Sequence, residues 1–394
     1  MGMRRNMLSG IRVIEMANVI SGPFTGMLLA DLGADVIKVE MPGTGDPFRT
    51  WAGNSGTVSP AFAAYNRGKR SVELDVKSRE ARENYLRLVR SADVVIENFR
   101  PGVLDRVGVG YEQIKDIAPS LIYCSISGMG QRGPYRDMPT YDGIAQAFSG
   151  LWSQLVDIDS PEPVGPPMSD QLTGLYAALG ILGALISRES TGEGRRIDVS
   201  MLGASVAFQP HAIAEYFSLG VTADKTSRAR ISQSFAFVCA DNLPLAIHLS
   251  SPTKFWLALL KTVRREDLAE NELYASKPLR ERNYETLAAE LQAVFQKRDR
   301  SEWLKRLRTH DVPCAPLYTL AETMADPQVE ALSLSRVFGD GDRAIRLVGY
   351  PIDDPQRIDD DSKRPVPLLG EHNREVFAEI AEISAPRPTG SGKT

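Results

Sequence analysis

The sequence predicts an α/β fold, with a large domain built on a mostly parallel, Rossmann-like sheet and a smaller α+β domain. Through the first half of the 394-residue chain, short β-branched runs alternate with helical segments, the rhythm of parallel strands joined by crossover helices. The loops after those runs are rich in Gly, Pro, Asn and Ser, the composition of the ligand-binding rim of such a sheet. A polar stretch at 220–234 then breaks the rhythm, and a hairpin followed by helices takes its place.

In order, IRVIEM (11–16) reads as a strand, PFTGMLLADLGA (23–34) as a helix and DVIKVE (35–40) as the next strand. SVELDV (71–76), DVVIENF (93–99) and LIYCSIS (121–127) continue the sheet, with the helical SREARENYLRLVRSA (78–92) between the first two. The strand-end loops are then 16–22, 40–46, 97–102 and 127–133. A helix over 170–186 leads to another strand, RRIDVSM (195–201), and to a long helix reaching Leu219. SFAFVCADNLPLAIHLSS (234–251) reads as a hairpin turning at Asp241 and Asn242, and helices follow around Phe255, Tyr284 and Trp303. The expected domains are 1–224 (the main part of the large domain), 225–325 (small α+β domain) and 326–394. That last segment returns through the LLGEHNREVFAEI helix to the large domain and ends in a disordered tail.

Composition narrows the function. With 43% hydrophobic residues the chain can bury a real core, and a formal charge of −4 gives no basic excess for nucleic acid or an anionic membrane, so a small-molecule partner is expected. Cys124, Cys239 and Cys314 fit neither a disulfide framework nor paired metal ligation, which places them as packing residues in a reducing compartment. After the basic MGMRRNM, the apolar stretch is interrupted by Arg12, Glu15 and Asn18, so no signal peptide is expected and the cytoplasm is the predicted location. The longest apolar run, 175–186, is shorter than the ~20 residues of a membrane helix and reads as a core helix. The four histidines have no metal spacing. The C-terminal PTGSGKT resembles a phosphate loop but has Arg387 where a glycine is needed and no helix after it.

Two features carry candidate chemistry. Arg67, Lys69, Arg70, Lys77, Arg100 and Arg106 lie near strand ends and form either a solvated basic face or a phosphate-holding set. Asp170 stands where a proline-containing loop meets an uncharged helix, as a helix N-cap or as a nucleophile. Gly174, Gly180 and Gly183 cost that helix about 1 kcal/mol each relative to Ala, which predicts close packing against neighbouring backbone.

Long blocks then add a family resemblance. SGPFTGMLLADLGADVIKVEMPGTGDPFR, NRGKRSVELDVKS, DVVIENFRPGVLDRVG, GQRGPYRDMPTYDGIAQAFSG, the segment around Asp170 and LLGEHN occur in the order found in class III CoA-transferases, which the chain resembles over most of its length. The resemblance implies a nucleophilic aspartate at Asp170, acyl-CoA and a free carboxylic acid as substrates, no tightly bound cofactor and no metal. It implies CoA contacts at Ile20, Ser21, Leu74, Asp75, Val76, Lys77, Asn98, Phe99, Arg100, Arg106 and Tyr141. It also implies an interlocked homodimer. Met41, also among the implied CoA contacts, stands where some relatives have an arginine beside the adenine, Ile20 replaces a glutamine near the reacting centre of formyl-CoA transferase, and SRARISQSFAFVCADN lacks the glycine-rich lid of that enzyme. These departures point away from formyl-CoA and oxalate. The same scaffold also serves acyl-CoA racemases, which place a histidine before the aspartate of the block reading TYDG here. This chain has Tyr141 before Asp142 and no histidine before His211, which favours a transferase over a racemase, and the retained Asp170 argues against a catalytically silent CoA-binding protein.

Overall fold

The structure, a computed structural model, describes residues 6–51, 58–250, 253–358 and 364–384. The PTGSGKT tail lies outside them. The chain forms two compact units, one of residues 1–151, 165–210 and 333–394, the other of residues 152–164 and 211–332.

The first unit is a three-layer α/β sandwich. Its strands are β1 (Arg12–Met16), β2 (Asp35–Glu40), β3 (Arg70–Glu73), β4 (Val94–Glu97), β5 (Ile122–Ser127) and β6 (Arg195–Ser200). They form one parallel sheet in the order β3-β2-β1-β4-β5-β6, with Val13 paired to Val36 on one side and to Val94 on the other. Both faces are covered, so the strands are mostly apolar and buried, with Glu15 and Lys38 enclosed as a pair, and successive residues feed opposite layers. On one face Val13, Val94, Ile96, Ile122 and Cys124 pack with Ala177, Ile181 and Leu185. On the other, Ile14, Val95 and Tyr123 pack with Tyr85, Leu88 and Val89, and with Val376 and Ile380 of the helix Asn373–Ser384. The segment after residue 333 thus contributes to the first unit's core.

The helices that matter for the site are α1 (Ser21–Asp31), α2 (Pro60–Asn66), α3 (Arg79–Arg90), α4 (Val103–Val107), α5 (Tyr111–Ile114), α6 (Asp142–Phe148), α7 (Met168–Thr191) and α8 (Met201–Ala207). The first two strands match their expected runs almost residue for residue. Two helical expectations are corrected. The uncharged helix begins at Met168 and continues to Thr191, where Gly192 at φ 70° ends it. With 24 residues, α7 is long and apolar enough to cross a membrane, so the length argument from the 175–186 run fails; half of that apolar stretch is buried inside the protein. The long helix expected to reach Leu219 is two helices, α8 and Pro210–Leu219, broken at Phe208 and Gln209 before a proline that has no N–H to extend the first.

The basic segment after α2 is neither a solvated face nor a phosphate cradle at most of its positions. Arg67 is buried on Asp31 (2.6 Å), Lys69 on Glu15 (2.7 Å), and Arg70 pairs with Asp35 (2.6 Å) and Glu379 (2.7 Å). Lys38 joins them, with its ammonium 2.9 Å from Glu15 and 3.0 Å from Asp46. Burial alone would lower the Lys38 pKa, but Glu15, Asp46 and Glu40 outweigh it and hold the ammonium charged; for Lys69, burial and the neighbouring Lys38 charge outweigh Glu15 and Asp46, and it is pushed down to about 8. Asp46 also accepts the backbone N–H of Val19 at 3.2 Å. Val19 is a β-branched residue at φ 69°, a conformation costing about 1–3 kcal/mol, so the buried ion cluster holds a strained turn just before α1.

The second unit is α+β. β7 (Ser234–Val238), β8 (Pro244–His248) and β9 (Cys314–Pro316) form an antiparallel sheet, and the β7–β8 turn has Asn242 at φ 59°. Helices Lys254–Val263, Tyr284–Phe295 and Arg300–Thr309 close a core of Phe235, Phe237, Leu245, Trp256, Leu291, Phe295 and Trp303. The three cysteines are free thiols, two of them buried.

Candidate active site

Strand order reverses between β1 and β4, and the loops after these two strands diverge to leave a crevice at the strand ends. Asn98 spans it. Its Oδ1 accepts the N–H of Asn18 (2.9 Å), and its Nδ2 donates to the Asn18 carbonyl (2.8 Å) and, at 3.4 Å, to Ser21 Oγ. The β4 end thereby fixes the β1–α1 turn from one side, as Asp46 fixes it from the other.

Asp170 enters this crevice from α7. It is the third residue of its helix, whose N-cap is Pro167, so it does not cap α7. Its carboxylate instead faces the backbone N–H and the hydroxyl of Ser21, the first residue of α1, which hold its proton affinity down. An anion there meets the free N–H groups and positive dipole end of an eleven-residue helix. The approach depends on Gly174, one turn further along α7. A Cβ there would lie 2.7 Å from Phe24 Cδ1 and 3.1 Å from the Ser21 carbonyl. Gly180 lies less tightly against Ile197, and a Cβ on Gly183 would meet nothing within 4 Å, so the close-packing expectation fails for that glycine.

A helix N-terminus on its own favours the ionised carboxylate, but here burial opposes it. Asp170 is only 8% exposed, and burial, then the neighbouring Asp142, push its pKa up to about 7 against the lowering by Ser21. A helix N-terminus therefore does not keep this carboxylate in the ordinary range. Asp142, the first residue of α6, accepts the Asp170 N–H at Oδ1 (3.1 Å), while its Oδ2 accepts from Gln146 Nε2 at 2.5 Å.

Asp170 opens into a cleft of about 330 Å³ lined by Asn18, Val19, Ser21, Pro47, Asn98 to Pro101, Ile126 to Gly128, Arg136, Met138, Thr140, Tyr141 and Met201. A second, more apolar cleft of about 180 Å³ shares Asn18 and Phe99 with it and runs over β2 and β3 along Met41, Leu74, Val76, Lys77, Val103 and Val107. Of the sequence-derived set, Ser21, Asn98, Phe99, Arg100, Tyr141 and Asp170 therefore share the first cleft, and Met41, Leu74, Val76, Lys77 and Phe99 share the second. Ile20 does not line either: it is buried among Phe48, Phe62 and Val366 beneath the turn. Asp75 accepts the Lys77 N–H (3.1 Å) in a local turn, and Arg106 is exposed on α4, outside both linings. Lys77, Arg100 and Arg106 are the exposed cations of the basic set.

Sequence reasoning missed Asp142, Ser127, Arg136 and Glu97. Asp142 and Arg136 lay in a block already singled out, where only Tyr141 was given a role; Ser127 and Glu97 open two of the strand-end loops named from the sequence but were given no individual role. Glu97 is buried, accepts from Ser125 and from the Phe99 N–H (2.8 Å), and is pushed up to about 7 chiefly by burial.

The profile of CoA-transferase family III matches residues 8–373. The chain belongs to CoA-transferase family III. Acetyl-CoA:oxalate CoA-transferase of Acetobacter aceti is 36% identical over 380 residues, covering 95% of this chain and 96% of that protein. Human succinyl-CoA:glutarate CoA-transferase is 34% identical over 387 residues, covering 95% and 86%. Among solved structures, a CAIB/BAIF family protein from Brucella suis superposes with a TM-score of 0.85 at 33% identity, covering 95% of this chain and all of that one. The match to the family spans both units of the chain, the parallel sheet and the smaller α+β body alike.

Proposed function

We propose that this class III CoA-transferase moves CoA from an acyl-CoA thioester to a free carboxylic acid, with Asp170 as the nucleophile. The observation that supports this most directly is the Asp170 carboxylate itself, held by Ser21 at the start of α1 and open to the strand-end cleft. Deprotonated, it attacks the thioester carbonyl and expels CoA thiolate, leaving an aspartyl–acyl anhydride. The thiolate then attacks the aspartyl carbonyl, releasing the donor acid and forming an aspartyl-CoA thioester. An acceptor carboxylate attacks that thioester, and the returning thiolate takes the acceptor's acyl carbonyl, which regenerates Asp170. The Ser21 N–H and hydroxyl face the Asp170 oxygens on which charge rises during thiolate attack and would stabilise it there. CoA lies in this scheme along the adjoining cleft over β2 and β3, with Lys77 and Arg100 at its edges as phosphate partners.

The homodimer belongs to the same proposal. α7 turns Leu175, Leu179 and Ile186 outward at helical spacing, with Leu179 65% exposed, and Val206 in the last turn of α8 and Phe208 just after it are exposed. A second copy would cover such a stripe, and light scattering at micromolar concentration tests it: a clean monomer counts against it.

The catalytic proposal is tested with Asp170→Asn. The amide keeps the shape, so CoA binding persists while transfer and the hydroxylamine-trapped adduct on residue 170 vanish. Transfer by Asp170→Asn at close to the wild-type rate overturns it.

A further inference from the structure

Beneath the turn that joins β1 to α1 lies a cluster of four charged side chains with no exposed surface: Glu15 from β1, Lys38 from β2, Asp46 from the loop after β2 and Lys69 from the segment before β3. Glu15 bridges the two ammonium groups, and Asp46 gives Lys38 a second acid. Both lysines also reach backbone. Lys38 donates to the Ala17 carbonyl (2.7 Å) and Lys69 to the Pro23 carbonyl (2.8 Å), so an ammonium contact stands on each side of Ser21. Between them Asp46 accepts the Val19 N–H (3.2 Å), and Asn98 takes both polar groups of the Asn18 backbone. The Ala17 carbonyl, the Asn18 N–H and carbonyl and the Val19 N–H are therefore all held by side chains from other elements. Released from them, Val19 at φ 69° would relax to the negative-φ regions that a β-branched residue prefers, swinging the chain that leads into Ser21.

Paired charges in a dry interior are often no more stabilising than apolar side chains of the same volume. What this cluster supplies is geometry. We propose that Asp46 is a positioning residue for the transfer reaction: with Lys38 it holds Val19 at positive φ, and that conformation sets the Ser21 N–H and hydroxyl against the Asp170 carboxylate. This rests on the nucleophilic role proposed for Asp170 and adds to it the device that keeps its donors in place before a substrate arrives. Asp46 is fully buried and is not among the side chains that line either cleft. Its two oxygens serve three donors: the Val19 N–H, the Phe48 N–H (2.9 Å) and the Lys38 ammonium (3.0 Å). An amide has a single acceptor oxygen and cannot serve all three, so Asp46→Asn keeps the shape of the side chain but loosens the turn.

The test measures, in the full-length protein, how fast hydroxylamine traps an adduct on Asp170 with acetyl-CoA, butyryl-CoA or succinyl-CoA as probe. Asp46→Asn is expected to lower the maximal rate about 10- to 100-fold and to leave the half-saturating thioester concentration within about threefold, the split that follows when donors are lost at the reacting carboxylate alone. The acid limb of its pH–rate profile is expected to move to higher pH, because burial and Asp142 on α6 raise the Asp170 proton affinity with Ser21 no longer opposing them. Repeating the substitution in a Val19→Gly background is the rescue. Glycine adopts positive φ without strain, so there Asp46→Asn is expected to cost no more than about threefold, and the lost valine side chain cancels from the comparison. A near-wild-type rate for Asp46→Asn, an equal loss in both backgrounds, an unmoved acid limb, or failure to fold in both backgrounds shows a carboxylate that serves the fold alone and overturns the proposal. No adduct in the wild type from any of the three probes overturns the nucleophile reading instead. Positioning is then read without catalysis, from the pH above which the stability difference between wild type and Asp170→Asn becomes constant. Asp46→Asn is expected to move that pH upward, and an unmoved value overturns the positioning role.

Discussion

Replacing Asp170 by Asn should make the protein more stable, and increasingly so as pH rises. In the folded protein the Asp170 pKa is raised from 3.8 to about 7, first by burial and then by Asp142, with Ser21 opposing. Between these values the folded state holds a proton that the unfolded chain has released, so stability falls as pH rises through this window and is flat above it. A shift of this size corresponds to about 4 kcal/mol at pH 8, of which roughly 2–3 kcal/mol develops between pH 5 and pH 8. Asn carries no charge at any pH, and its Oδ1 can still accept from the Ser21 N–H. Subtracting wild-type from Asp170→Asn unfolding free energies, from urea transitions followed by circular dichroism at pH 5 and pH 8, isolates the effect of this one group. The difference should favour Asn by about 2–3 kcal/mol more at pH 8 than at pH 5. A difference independent of pH would mean that Asp170 titrates in the ordinary carboxylate range, and the argument from burial and Asp142 would be wrong. The gain in stability would come with loss of transfer, since the strain removed is the strain of a buried nucleophile.

Further outcomes follow from the same geometry. Asp142→Asn keeps an acceptor for the Asp170 N–H but removes the neighbouring charge, so the acid limb of the pH–rate profile should move to lower pH; an unmoved limb would show that Asp142 does not act on Asp170 electrostatically. Gly174→Ala forces a Cβ against Phe24 and the Ser21 backbone and should cost about 1–3 kcal/mol in urea unfolding while slowing adduct formation. Gly180→Ala, which meets only a flexible Ile197 branch, should stay within about 1 kcal/mol of wild type by the same measurement. Lys77→Ala should weaken CoA binding in calorimetry by about 1–3 kcal/mol, whereas Arg106→Ala, outside both clefts, should leave it unchanged; the reverse order would move the phosphate site to α4.

Much of this protein was legible in the sequence because the signals are local. A buried parallel strand needs a β-branched run, its helix needs a 3.6-residue pattern, and glycine and proline mark the loops, so the first strands and the smaller unit's hairpin and helices could be read directly. The strand-end loops followed from the fold class alone, and Asp170 stood out because nothing else in its helix is charged nearby. What the tertiary structure decided is non-local. Whether Arg67, Lys69 and Arg70 face solvent or a carboxylate depends on Asp31, Glu15 and Asp35, more than thirty residues away in each case and brought alongside by the β1-β2-β3 order. The partner of Asp170 is the start of a helix about 150 positions earlier, reached because Gly174 lets α7 lie against α1. The carboxylate's proton affinity follows from that burial and from Asp142. Sequence spacing sets which residues share an element; the dielectric surroundings and charge partners of each group exist only after distant elements pack.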